Sequence, residues 1–353
     1  MTKAKILVAP LNWGLGHATR CVPIIHALLT KGFAPILASD GQALLLLQKE
    51  FPQLKTYELP SYNISYPKNP VLFKAKMLWD SPKLLTAIKR ERSRIDEIHQ
   101  KEGLSGIIAD NRLGVRSNVV PSVIMTHQLN VLSGNTSFLS TSIHQHYIAQ
   151  FDECWVPDVA DKPTLSGKLG HLKKPKNKVR YLGVLSRLSK RALDPVYDIM
   201  VLLSGPEPQR NILEAILFNQ LKEYKKKKVL FVKGVFEPEQ KVEHLNHITV
   251  YNFLTSRQVE QMMNQSDILI CRSGYTTLMD LAKLDKKALL IPTPGQYEQE
   301  YLAKRLKKKG ILPYCKQDEF TLERLANVDL YQGLSRYNRR VSWDSLFVLF
   351  KGK

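Results

Sequence analysis

The chain lacks the features of a secreted, membrane-spanning or cysteine-metal protein. Its four cysteines, Cys21, Cys154, Cys271 and Cys315, lie far apart with no CxxC pair. That excludes a disulfide scaffold and a cysteine zinc site, and a reducing cytosol is the expected compartment. No apolar run approaches the roughly 18 to 20 residues needed to cross a bilayer, so any membrane role is expected to be peripheral. No secretory apolar region opens the chain, where Met1-Thr2-Lys3-Ala4-Lys5 leads straight into a short strand. Acid is scarce as well: 32 Asp and Glu stand against 52 Lys and Arg, a formal net charge of +20. Such an imbalance favours an anionic partner, whether nucleic acid, a phosphorylated ligand or an anionic membrane surface, and does not choose among them. With 44% hydrophobic and 24% charged residues, the chain is otherwise an ordinary globular protein.

At about 150 residues per domain, 353 residues suggest two domains. Short apolar runs alternate with stretches of helical period, the pattern of βαβ units and parallel sheets. Strands are expected at Lys5-Leu11, Pro35-Ser39, Gly106-Ala109, Ser122-Thr126, Glu153-Val156 and Val179-Leu182. After a lysine-rich, weakly periodic stretch the pattern restarts, with strands at Asp198-Leu203, Lys228-Lys233, Ile248-Tyr251, Ile268-Cys271 and Lys287-Ile291. The expected division is a domain over 1–184, a linker over 185–196, a second domain over 197–330 and a terminal segment over 331–353. Two Rossmann-like, doubly wound α/β domains facing across a cleft would bind ligands at the carboxyl ends of their strands.

Three loops at such positions carry chemistry. The first, Asn12 to Arg20, holds Gly14 and Gly16, which let the chain turn sharply and bring a bound group to a helix N-terminus. His17 follows at that positive helix end, which disfavours imidazolium and suits a neutral base; the plain alternative is a tight turn with an incidental histidine. The second loop runs Cys271-Arg272-Ser273-Gly274-Tyr275-Thr276-Thr277 into a helix holding Asp280. Arg272, Ser273, Gly274, Thr276 and Thr277 can converge on a diphosphate, and Asp280 can accept both hydroxyls of a ribose. Alternatively, Thr276 or Thr277 simply caps the helix. The third loop, Ile291 to Glu300, is stiffened by two prolines and a glycine, after which Gln299 and Glu300 begin a helix with side chains suited to sugar hydroxyls or to plain helix electrostatics.

Taken together these residues resemble the GT-B glycosyltransferases, and within them family 28, which includes the peptidoglycan N-acetylglucosaminyltransferases. The resemblance rests on GLGHATR at Gly14 to Arg20 and on CRSGYTTLMD followed by IPTPGQYEQEYLA, over Cys271 to Ala303. It implies that Asp280 binds the ribose, that Gln299 and Glu300 take the places of a donor-sugar Gln-Gln pair, and that Ser204 and Gly205 belong to the diphosphate loop. Phe253 and Leu254 would then lie beside the uracil. The chain departs from the family at Pro206-Glu207-Pro208 and at Glu300, and the family's acceptor segment survives only as Thr126-His127-Gln128-Leu129-Asn130. The implied reaction is an inverting, metal-independent transfer from a UDP-sugar, with the nucleotide sugar as co-substrate and no other cofactor. His17 would be the base and Asp110, at a strand end, its partner; an Asp-Asn turn closing a strand is the plain reading of Asp110. His127, His144 and His146 fall on the acceptor side, where solvated histidines are common.

The acceptor implied is a glycan or a lipid-linked hydroxyl. Asn69 to Arg94, where Leu72, Phe73, Met77, Leu78 and Trp79 are interleaved with Lys74, Lys76 and Lys83, suits a helix lying on anionic lipid, or equally one packed on its own domain. The expected location is cytoplasmic, peripheral to the inner face of the plasma membrane. Three rivals remain. A UDP-sugar 2-epimerase would need no acceptor. A basic nucleic-acid-binding protein is disfavoured because Lys173 to Lys178 carries no interleaved aromatics. An NAD-dependent oxidoreductase, resting on Gly14, Gly16 and Asp40, leaves the second and third loops unused.

Overall fold

The computed structural model describes residues 3–62, 73–235, 237–339 and 341–351, with the backbone alone at 73–82 and 135. The chain forms two compact units, Met1–Ser186 with Arg339–Lys353, and Arg187–Asn338.

Unit 1 is built on β1 (Lys5–Pro10), α1 (Leu15–Thr30), β2 (Ala34–Ser39), α2 (Gly41–Glu50), β3 (Thr56–Glu58), α3 (Phe73–Glu102), β4 (Gly106–Asp110), β5 (Ser122–Met125), α4 (Ser137–Ile148), β6 (Glu153–Val156) and β7 (Val179–Tyr181). All seven strands are parallel, in the order β3-β2-β1-β4-β5-β6-β7. The central strands read as near-continuous apolar runs because both faces are covered, and every residue of β4 is buried. Chain order reverses between β1 and β4, whose last residues Pro10 and Asp110 lie side by side. Loops on either side of such a switch point diverge and leave a crevice, so the fold itself brings the end of β4 next to the β1–α1 loop.

The terminal segment completes unit 1. Helix α9 (Trp343–Phe347) and the turn Val348–Phe350 place Phe347 and Phe350 against Trp155, with ring centroids 6.3 and 6.1 Å away. Gly106 makes room for them: a Cβ there would stand 2.2 Å from the Phe350 ring. Any side chain at 106 would therefore expel Phe350 from its seat.

Unit 2 contains β8 (Tyr197–Leu202), α5 (Gln209–Leu221), β9 (Val229–Val232), β10 (Val242–Leu245), β11 (Ile248–Tyr251), α6 (Ser256–Asn264), β12 (Ser266–Cys271), α7 (Tyr275–Leu284), β13 (Lys287–Leu290) and α8 (Tyr297–Lys308). The strand order is β10-β11-β9-β8-β12-β13, parallel except for β10. Its switch point falls between β8 and β12, the strands that lead into Ser204-Gly205 and Arg272-Ser273-Gly274. Two strands were not expected from sequence. Both β3 and β10 are edge strands of three and four residues without a buried face to impose alternation, and every residue of β10 is exposed. Helix α1 starts at Leu15, earlier than the histidine suggests, because Gly14 at φ 76° supplies the turn just before it.

Of the stretch Asn69 to Arg94, Leu72 and the side chains of Phe73, Lys74, Lys76, Met77, Leu78 and Trp79 lie outside the described residues. Lys83 is exposed on α3. Among the described residues no helix is long and apolar enough to cross a membrane.

Candidate active site

In unit 1 the switch point gathers a buried cluster of titratable groups. His17 lies in the first turn of α1, with its side chain 13% exposed. Its Nδ1 stands 3.1 Å from Oδ1 of Asp110, a fully buried carboxylate at the end of β4. One helical turn on, Arg20 is itself buried and donates from Nε to Asp110 Oδ2 at 2.6 Å and from Nη2 to Asp110 Oδ1. Arg20 Nη2 also lies 2.8 Å from Nδ1 of His17, and Nη1 lies 3.1 Å from Nδ1 of His127, a buried residue just after β5.

Each group shifts the others. Burial and the Arg20 charge push the His17 imidazole below its ordinary 6.5, against the pull of Asp110, so His17 is neutral at pH 7. Burial pushes the Asp110 carboxyl up, but the charges and hydrogen bonds of Arg20 and His17 hold it at about 2. Farther along, burial and the neighbouring His127 lower His144 to about 4, and its Nε2 is buried without a partner among the described residues. Asn111 follows Asp110 in the left-handed region at φ 56°, the turn that closes the strand, and its buried Oδ1 has no partner among the described residues. His146, in contrast, is exposed on α4.

A second buried network explains Asp40. Arg112, fully buried, donates to Asp40 Oδ1 and, at 2.6 Å, to Glu91 Oε1, and ties down the carbonyls of Pro10 and Pro60. Asn12 Nδ2 reaches the other Asp40 oxygen at 3.2 Å. This carboxylate braces the loops after β1 and β4, an employment that the dinucleotide reading does not foresee.

In unit 2 the residues singled out from sequence lie in the loops at the carboxyl ends of β8, β11, β12 and β13, one edge of one parallel sheet. Ser204 and Gly205 are exposed before α5, with Gly205 at φ 98°. Phe253 is buried and Leu254 half-buried ahead of α6, whose first turn is closed by a capping box between Thr255 and Gln258. Thr276, Thr277 and Asp280 are half-buried on the first turns of α7, for which Gly274 is the N-cap.

Arg272 is placed beneath this edge rather than on it. It is 1% exposed and donates to the carbonyls of Gln209, Ile291 and Pro292 and to Oε1 of Gln317, at 2.7 to 3.3 Å. Its Nε has no partner among the described residues, its ring of acceptors includes no carboxylate, and burial lowers it to about 10. Neighbouring Ser273 is also buried and donates to the carbonyl of Gln299 at 2.8 Å. The third loop is held by its own helix: Gln299 Oε1 accepts from the Thr293 N–H at 2.9 Å and Glu300 Oε1 from the Gly295 N–H at 3.0 Å. Both side chains thus cap the turn, and Nε2 of Gln299 reaches Gln296. Sequence reasoning missed Arg20, His127 and Asn111 as members of the unit 1 cluster; the arginine in GLGHATR, one helical turn after the histidine, was the available signal.

Known proteins resemble parts of this chain and its fold. The family described as glycosyltransferase family 28 C-terminal domain matches residues 200–334. A UDP-N-acetylglucosamine–N-acetylmuramyl-(pentapeptide) pyrophosphoryl-undecaprenol N-acetylglucosamine transferase of Sulfurihydrogenibium sp. is 25% identical over 142 residues, 40% of this chain and 40% of that protein. The chain therefore matches less than half the length of that relative. The protein of the same name from Clostridium tetani is 23% identical over 317 residues, 87% of this chain and 84% of its own. The crystal structure of Acinetobacter baumannii MurG superposes with a TM-score of 0.59 at 14% identity, covering 99% of this chain and 98% of that one. At that identity the likeness speaks for the fold, two Rossmann-like units of the GT-B type.

Proposed function

We propose that the chain, whose GT-B fold and second unit resemble glycosyltransferase family 28, is a glycosyltransferase that moves a sugar from a UDP-sugar to an acceptor hydroxyl with inversion. The observation that carries this reading is the coincidence of the family 28 match at 200–334 with the loops collected at one edge of the unit 2 sheet. In this reading unit 2 holds the donor: Phe253 and Leu254 beside the base, Asp280 on the ribose, Ser204, Gly205 and the α7 N-terminus on the diphosphate, and Gln299 with Glu300 toward the sugar. The relatives' printed name specifies UDP-N-acetylglucosamine as their donor, which makes it the first donor to try.

His17 is the base. With its proton on Nδ1, donated to Asp110, the Nε2 lone pair is available to an acceptor hydroxyl. The acceptor oxygen then bonds to the anomeric carbon while the bond from that carbon to the diphosphate oxygen breaks. Its electron pair leaves with UDP, and the hydroxyl proton passes to His17 Nε2. Charge developing on the diphosphate falls beside the N–H groups of α7 and above Arg272, a guanidinium that no carboxylate neutralises. These groups supply the stabilisation without a metal.

An amphiphilic acceptor suits unit 1. A pocket of about 500 Å³ is lined by Val131, Leu132 and Phe138 together with Lys168, Lys174 and Lys176, so apolar surface and positive charge share one depression. Phe138 there is 88% exposed. Such a surface accommodates an apolar chain beside a phosphate, and in this reading the enzyme works at the cytoplasmic face of a membrane.

The test is UDP release from UDP-N-acetylglucosamine with and without a bacterial lipid extract, by the wild type and by His17→Gln. Release should depend on the extract, and the variant should lose about 10² to 10⁴ of the rate while binding UDP as before. Release that needs no extract and ignores His17 would point to hydrolysis of the donor, and a 2-epimer formed without net UDP release would point to epimerisation.

A further inference from the structure

We propose that Arg20 is a positioning residue for the His17 base, neutralising Asp110 and fixing which nitrogen of His127 carries a proton. The catalytic significance rests on the transferase reading; the ring states do not. A guanidinium can only donate hydrogen bonds. Its Nη1 lies 3.1 Å from Nδ1 of His127, so that nitrogen is an acceptor, and the neutral His127 ring carries its proton on Nε2. Nδ1 of His17 faces two competitors: Asp110 Oδ1 at 3.1 Å, which wants a proton from it, and Arg20 Nη2 at 2.8 Å, which offers one. Only the form bonded to Asp110 leaves Nε2 free as a base. The form bonded to Arg20 carries the proton on Nε2 and is a hydrogen-bond donor instead.

Arg20 also changes what Asp110 does. In a histidine–carboxylate pair without a third member, the carboxylate stabilises imidazolium and raises the base. Here both Asp110 oxygens are engaged by Arg20, and the pair approaches neutrality before His17 is counted. The groups facing His17 are Arg20 from α1, Asp110 from the end of β4 and His127 from the loop after β5, with Cys21 touching Asp110 at 3.9 Å and His144 of α4 beyond His127. Burial disfavours imidazolium first; of the charged groups Asp110 alone favours it, and Arg20 opposes Asp110. His17 is therefore an uncharged base through neutral pH, and a proton it accepts is passed on readily.

The experiment is a ¹⁵N-histidine NMR titration of the full chain, which reads tautomer and titration midpoint for each ring; His17→Gln and His127→Gln assign the two signals. In the wild type, His17 should titrate below 6.5 and His127 should carry its proton on Nε2. Arg20→Gln should move the His17 midpoint upward from its wild-type value and release the His127 tautomer, and Arg20→Lys should restore the low midpoint. An unmoved midpoint in folded Arg20→Gln, or a wild-type His127 protonated on Nδ1, would overturn the proposal. Should Arg20→Gln fail to fold, Asp110→Asn and the double variant Arg20→Gln/Asp110→Asn decide it. The single variant, which keeps the guanidinium, should titrate lower than the double, and equal midpoints would refute the role. UDP binding by the same variants separates the outcomes: loss in the wild type overturns the transferase reading and leaves the ring assignments standing.

Discussion

Replacing Asp110 by Asn removes one charge and almost no volume from the buried cluster of unit 1. A carboxyl held at about 2 in the folded chain, against 3.8 when unfolded, contributes about 2–3 kcal/mol at neutral pH. Asn approximates the protonated acid, so the variant should lose at least that much. Its amide can accept from only one of the two Arg20 nitrogens that now bond the carboxylate, which moves the cost toward the roughly 3–5 kcal/mol typical of a buried pair broken on one side. The assay can be confined to the right unit because all four tryptophans, at 13, 79, 155 and 343, belong to unit 1. Urea unfolding followed by tryptophan fluorescence should show the midpoint falling by about 1 to 2.5 M at a slope of about 2 kcal/mol/M. Asp198→Asn in unit 2, which breaks a half-exposed bridge to Lys227, is the control and should leave this transition in place. An unchanged midpoint in Asp110→Asn would mean that the Arg20–Asp110 contact contributes nothing, and the account of the cluster would be wrong.

Two buried arginines should behave oppositely. Arg112→Met strands the carboxylates of Asp40 and Glu91 and should cost unit 1 about 3–5 kcal/mol, whereas Arg272→Met strands no carboxylate and should cost unit 2 less, by urea unfolding of each variant. In return Arg272→Met, which removes the buried positive charge beneath the α7 N-terminus, should weaken UDP binding, measured by calorimetry. The acid limb of stability follows from the depressed groups. His17 and His144 sit below 6.5, so their contribution is complete above that pH and drains away as pH falls, that of His144 through about 4; Asp110 adds a second loss between about 3.8 and about 2. Tryptophan-monitored unfolding from pH 7 to 2 should show both losses, and His144→Gln should shrink the first.

How far the sequence could be read is uneven, for local reasons. Parallel strands buried on both faces announce themselves as apolar runs, and the loops after them carry the motifs; thus β1 and β4 were legible, and with them His17 and Asp110. Arg20 was not, because its significance lies in a contact with Asp110, 90 residues away. His127 reads as a polar-loop histidine and is buried, since the residues that cover it come from other elements. Gln299 and Glu300 read as sugar ligands, and the structure shows each satisfying N–H groups of its own turn, a local demand that spacing does not reveal. The short edge strands β3 and β10 leave no periodic signal at all.

The central claim is that unit 2 binds a uridine diphosphate sugar at the carboxyl edge of its sheet. Calorimetric titration of the full chain with UDP, UDP-N-acetylglucosamine and NAD, repeated with Asp280→Ala, tests it most directly. Micromolar binding of UDP or the UDP-sugar, lost in Asp280→Ala and absent with NAD, is the result expected. No binding of either uridine nucleotide, or binding indifferent to Asp280, would contradict the account.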